Sequence, residues 1–120
     1  MKTAIKQAKK SEHLNKIGAV IFNGNTIISS AFNQVRYHSR LHNKYKRWNC
    51  SLHAEQKAIL DARCSLKRCS ILVIRVNKSD NLLLARPCER CMMYLNYVQI
   101  YKIYYSNNLG EIVYENIKEL

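Results

Sequence analysis

Apolar positions along the chain follow two periods in turn, and their alternation predicts an α/β fold. Ala4, Ile5, Ala8 and Leu14 form a narrow stripe with lysines on the other faces, so residues 1–15 read as a basic amphipathic helix. Ile17 to Phe22 and Thr26 to Phe32 are β-prone runs joined through Asn23-Gly24-Asn25, which predicts a hairpin with strands at 17–22 and 26–32. Leu52, Ala54, Ala58, Ile59, Leu60 and Ala62 have helical spacing, giving a helix over 52–63 with Ser51 as its N-cap and Glu55 in its first turn. Ile71, Leu72, Val73, Ile74 and Val76 form a nearly continuous apolar run, expected as a buried central strand over 70–76. Beyond the turn Asn77–Asn81 lies a short apolar stretch, Leu82 to Ala85. Pro87, a residue type favoured at helix starts, precedes a helix expected from about Cys88 to Tyr97. A strand at 100–105, a turn at 107–110 and a closing segment complete the order α-β-β-α-β-α-β, a mixed sheet with helices packed on it.

Asn33 to Ser51 breaks this pattern. It has no periodicity, Gly, Pro or acid, and it carries Arg36, Tyr37, His38, Arg40, His42, Lys44, Tyr45, Lys46, Arg47 and Trp48. Connections of this length in a compact domain are usually functional or mobile. The formal net charge is +12, from 20 basic and 8 acidic residues. Abundant Lys, Asn, Ile and Tyr suit an AT-rich gene, yet acids are few and many of the bases are Arg. The imbalance therefore favours polyanionic partners such as nucleic acid.

The 120 residues suit one domain, 1–120. No apolar run is long enough to span a membrane, and the basic N-terminus has no apolar core of a secretory signal. Five cysteines, an odd set, argue against a disulfide framework and for a reducing, cytoplasmic compartment. Cys50, Cys64 and Cys69 are expected as small buried residues. Tyr101, Tyr104, Tyr105 and Tyr114 are expected in the core and at the sheet edge.

The chemistry is concentrated in His53-Ala54-Glu55 and Pro87-Cys88-Glu89-Arg90-Cys91. Cys88 and Cys91, three apart at a helix start, project to one face, and the helix N-terminus favours their thiolates. Alone, C-x-x-C fits a redox pair as well as a metal site. His53 adds a nitrogen ligand. Glu55 is two residues on, and such residues point about 200° apart on a regular helix, so both can face a metal only where the helix begins. The set predicts one Zn2+ on His53, Cys88 and Cys91, a fourth position for water, and Glu55 uncoordinated. Zinc so held lowers the pKa of its water towards neutrality. Glu55 then serves as general acid and base, worth roughly 10²–10⁴ in rate. H-x-E followed by P-C-x-x-C is the signature of zinc deaminases, which act at C4 of cytosine or C6 of adenine.

On these motifs, and over almost its whole length, the chain resembles the cytidine deaminase-like superfamily. The resemblance implies a three-layer α/β fold, with a mixed sheet of four to five strands and helices on both faces. About 15 residues follow Tyr105. That is too few for a crossover and a parallel strand, so the last strand is expected to be antiparallel, near Ile112 to Tyr114. By the same resemblance Asn33 is expected to contact the substrate sugar, and Ala54 to offer its backbone N–H to the base. Free-cytidine deaminases tend to have Cys in place of the His, and a Glu two after the Asn. Here stand His53 and Val35. His-Ala-Glu is similar to deoxycytidylate, tRNA adenosine and polynucleotide cytosine deaminases, and Arg86, where the adenosine enzymes usually have Glu, points to cytosine.

The first reading is therefore zinc-dependent deamination of cytosine to uracil in single-stranded nucleic acid, with Arg36, Tyr37 and Trp48 contacting phosphates and bases. One alternative is a free pyrimidine nucleotide, its phosphate held by Arg36, Arg40 or Lys44. The other is a catalytically silent, zinc-stabilised binding module, which would have no need of Glu55.

Overall fold

In the computed structural model, which describes residues 2–10, 16–33, 53–62, 64–77, 79 and 81–116, the expected hairpin forms from β1 (Lys16–Asn23) and β2 (Thr26–Phe32). Gly18 pairs with Phe32 and Asn23 with Thr26, with a register shift between Ile21 and Phe22. Gly24 takes a φ of 60°, in the left-handed region where a Cβ is disfavoured, which is why Asn-Gly suits this turn.

β3 (Ser70–Val76) lies antiparallel on the other side of β1, with Gly18 opposite Ile74. Its far edge is shared by β4 (Leu82–Leu83), antiparallel to Arg75 and Val76, and by β5 (Lys102–Ser106), parallel to residues 70–73. β6 (Ile112–Asn116) pairs antiparallel with β5, as expected. The order is β2-β1-β3-β5-β6 with β4 on β3. The sheet has six strands, one more than the upper expectation, because the stretch beginning at Leu82 pairs with the end of β3.

Three helices, α1 (Lys2–Lys9), α2 (Ala54–Asp61) and α3 (Glu89–Tyr97), pack on this sheet. Period-two alternation sorts the strand residues. Ala19, Ile21, Ile71, Val73 and Ile103 join Ala54, Ala58, Met92 and Leu95 in one core. Val20, Ile74 and Val76 join Ala4 and Ala8 in the other. Helices thus cover both faces, in three layers. Gly18 permits a close crossing, since a Cβ there would lie 2.1 Å from the Ala4 carbonyl oxygen. Gln7 Nε2 donates to Ser30 Oγ at 2.9 Å on the α1 side. The buried Ser29 Oγ donates to the Ala58 carbonyl at 2.7 Å and fixes α2 to β2.

The boundaries correct several expectations. α1 ends at Lys9, and residues 11–15 lie outside the described residues. The N-cap of α2 is His53, not Ser51, which also lies outside them. The N-cap of α3 is Cys88, with the regular helix starting one residue later at Glu89, and Pro87 precedes it as expected. β5 starts at Lys102, not Ile100, because the end of α3 winds on. Gln99 adopts φ 67°, its N–H bonds to the Asn96 carbonyl, and the Ile100 N–H reaches the Leu95 carbonyl at 2.9 Å. This is the left-handed cap that ends many helices. Cys69 is buried as expected, but Cys64 is exposed, lying in the irregular connection between α2 and β3. Cys50 lies outside the described residues. Tyr104 is half-buried and stacks on exposed Tyr114, ring centroids 5.1 Å apart, at the β6 edge. No helix among the described residues is long and apolar enough to cross a membrane.

Candidate active site

The first residues of α2 and α3 meet through their caps. His53 (φ −69°, ψ 148°) and Cys88 (φ −67°, ψ 166°) are both extended. That resolves the angular difficulty at His53 and Glu55. His53 precedes the regular helix while Glu55 is inside it, so the two need not obey helical spacing. Cys91 lies on the first turn of α3 and is fully buried.

His53 Nδ1 lies 3.2 Å from Cys91 Sγ and 3.7 Å from Cys88 Sγ. One ligand atom from each of the three residues falls within 4.8 Å of the others. Tetrahedral zinc bonded to nitrogen and sulfur at ordinary lengths separates those atoms by about 3.6 Å. The two observed distances lie on either side of that value, so the set fits a zinc ion. Among the described residues no fourth side chain joins the set.

Exposure differs along the triad. Cys91 is enclosed, His53 half-buried and Cys88 exposed. The hydrogen bond from Cys91 holds the Cys88 thiol down at about 3, against its partial burial and with help from His53. Cys91 is pushed well above the usual thiol range by the same bond and by burial. The shared bond thus favours the thiolate at Cys88 and the thiol at Cys91, and a bound cation would displace the remaining proton. The bond to Cys88 raises His53, with burial opposing.

Glu55 is 4% exposed, on the second residue of α2. Burial raises its carboxyl above the ordinary range, while the neighbouring His53 charge pulls it back, and it hydrogen-bonds the Cys91 sulfur. A nitrogen and two sulfurs around one point could hold a metal ion, which would polarise a water, and the buried carboxyl beside them could move its protons.

The remaining predicted residues divide. Ala54 is fully buried as the first residue of α2, where a helix N–H has no intrahelical partner. Asn33 is buried at the end of β2, where its Oδ1 accepts the Ile17 N–H at 3.0 Å and its own N–H bonds the Ile17 carbonyl. Arg36, Tyr37 and Trp48, with Arg40 and Lys44, lie outside the described residues. One residue of the site escaped the sequence reading. Buried Gln56 accepts the His53 N–H on its Oε1 at 3.2 Å and so orients the cap. A Gln three residues after an N-cap is the capping-box spacing, legible once His53 is taken as the cap.

The family described as the cytidine and deoxycytidylate deaminase zinc-binding region matches residues 1–107. Among solved structures, the chain is similar to dCMP deaminase from the cyanophage S-TIM5 in apo form, at 20% identity over 89% of this chain and 82% of that one, with a TM-score of 0.55. The same phage enzyme in complex with dCMP and dUMP matches at 18% identity and a TM-score of 0.54, over 87% and 78% of the two chains. Cytidine deaminase from Burkholderia pseudomallei matches at 14% identity and a TM-score of 0.66, over 97% and 88%. At these identities the likeness is one of fold. No curated protein matches the chain.

Proposed function

The chain belongs to the cytidine and deoxycytidylate deaminase zinc-binding family, and on that premise we propose that it converts cytosine to uracil by hydrolysis, releasing ammonia. The observation that carries this reading is the meeting of His53, Cys88 and Cys91 within 4.8 Å, with the buried carboxyl of Glu55 against Cys91.

His53, Cys88 and Cys91 would hold the zinc ion, which when bound supplies a water acidified towards neutrality. Glu55 handles the protons. It takes one from the attacking water and gives it to N3 of the ring, and it then takes the proton of the new C4 hydroxyl and delivers it to the amine, which departs as ammonia while the C4 carbonyl forms. Its burial suits this, because a carboxyl raised towards working pH exchanges protons in both directions. Gln56 holds His53 in line through the backbone. The Ala54 N–H is proposed to bond the base. Asn33, its amide oriented by the Ile17 N–H, is proposed to bond the sugar.

The family match favours a free pyrimidine nucleotide of the deoxycytidylate type as substrate; the related phage enzyme was solved with dCMP and dUMP. A second reading, single-stranded polynucleotide, is favoured by the net charge of +12 and the acid-free basic and aromatic stretch 33–51. One assay separates them. The zinc-loaded chain is incubated with dCMP and with a labelled cytosine-containing oligonucleotide, and uracil is quantified. Conversion of dCMP alone supports the first reading, and conversion of the oligonucleotide alone replaces it with the second. Failure on both, and on cytidine, removes the enzymatic reading.

A further inference from the structure

The segment entering the Cys88 turn is tied, residue by residue, to the C-terminal hairpin. Ser106 Oγ donates to the Leu83 carbonyl at 2.6 Å, and the Leu84 N–H donates to Asn108 Oδ1 at 2.8 Å. The Ala85 N–H donates to the Ser106 carbonyl at 2.9 Å. Arg86 then makes a two-pronged contact with Glu115, Nε to Oε2 at 2.8 Å and Nη2 to Oε1 at 2.7 Å. The Tyr105 hydroxyl adds a third bond, to Glu115 Oε2 at 3.1 Å.

This fork sits one residue before buried Pro87 and two before Cys88. Proline fixes its own φ and confines the residue before it to extended backbone. Few free torsions therefore separate the Arg86 anchor from Cys88. Cys88 also has the least other support among the three metal-site residues, being exposed where Cys91 is enclosed and His53 half-buried. The Cys88 carbonyl accepts the Met92 N–H at 2.9 Å at the head of α3, and the ties to β5 and β6 hold the chain on the other side of Cys88, where it enters the cap.

We propose that Arg86 and Glu115 are positioning residues of the metal centre: their fork sets the direction in which the chain enters Pro87-Cys88, and thereby the place of the Cys88 sulfur opposite His53. The inference rests on the zinc reading above. Neither residue touches the ligand atoms. The fork geometry belongs to Arg, since Lys offers a point charge without two parallel donors.

The test is zinc affinity by chelator competition, with melting of the zinc-free protein measured alongside, for wild type, R86Q, E115Q and R86K. Residues that orient metal ligands typically cost 10–100-fold in metal affinity when changed. The expected result is zinc binding weakened about tenfold or more in R86Q and E115Q, with R86K in between and the zinc-free melting temperature within a few degrees of wild type. R86K keeps the charge and covers the case in which a neutral variant fails to fold. Wild-type affinity in these variants would overturn the positioning role while leaving the zinc reading intact. A wild-type chain that binds no zinc would remove both.

Discussion

His53 Nδ1 and Cys91 Sγ stand 3.2 Å apart across 38 residues of sequence. The contact joins the start of α2 to the first turn of α3, and one residue of the pair belongs to the core while the other is half-buried. An ion bound there would cross-link the starts of the two helices.

Zinc should therefore stabilise the folded chain measurably. A ligand at about 100 times its Kd adds about 2.7 kcal/mol, or roughly 10 °C in melting temperature for a domain of this size. Calorimetry with zinc and with chelator should show that gap in wild type and its loss in C91A. An equal zinc-dependent rise in C91A would place the ion elsewhere.

Glu55→Gln should separate chemistry from metal binding. The amide is nearly isosteric but cannot shuttle protons, so turnover should fall roughly 10²–10⁴-fold. Zinc content by elemental analysis should stay at the wild-type level, since Glu55 is not in the ligand set. Stability should hold or rise, because burying a carboxylate costs more than burying an amide. Loss of zinc from E55Q would assign Glu55 to the ligands instead.

The elements that sequence made legible are those with local signals. Asn23-Gly24 announces the hairpin, the apolar run 71–76 the central strand, and the turn Asn107–Gly110 the antiparallel pairing of β5 with β6. His53, Cys88 and Cys91 were legible as ligand types at helix starts. What escaped depends on pairing at a distance. Leu82–Leu83 is a strand only because β3 offers an edge beside it. His53 is not a favoured cap residue, so Ser51 drew the start of α2 outward by two positions. Arg86 and Glu115 are 29 residues apart, and no periodicity links one charge to the other. The cysteine rule failed at Cys64 because burial follows position in the fold, and that position is an irregular connection.

Gly18→Ala should be costly although the residue is small. The added Cβ would meet the Ala4 carbonyl oxygen at 2.1 Å and the Ala8 nitrogen at 2.7 Å, both backbone atoms of α1. α1 would have to lift from β1, and overpacking of this kind costs about 1–3 kcal/mol. Urea unfolding should show that loss. Because the zinc residues lie on α2 and α3, against the other face of the sheet, zinc affinity in G18A should remain near wild type.

The Arg86–Glu115 pair carries a pH dependence of known sign. The Arg86 guanidinium holds the Glu115 carboxyl below its usual range, against slight burial and with help from the Tyr105 hydroxyl. A carboxyl depressed in the folded state stabilises fully above its unfolded pKa, and that contribution disappears as pH falls through the lower folded value. The side chains are 47% and 31% exposed, so solvent screening limits the pair to about 0.5–1 kcal/mol at neutral pH. In chelator, wild type should exceed E115Q in urea midpoint at pH 7, and the gap should shrink as pH falls below the ordinary carboxylate range. A gap that persists undiminished at acid pH would mean that Glu115 contributes through packing and not through its charge.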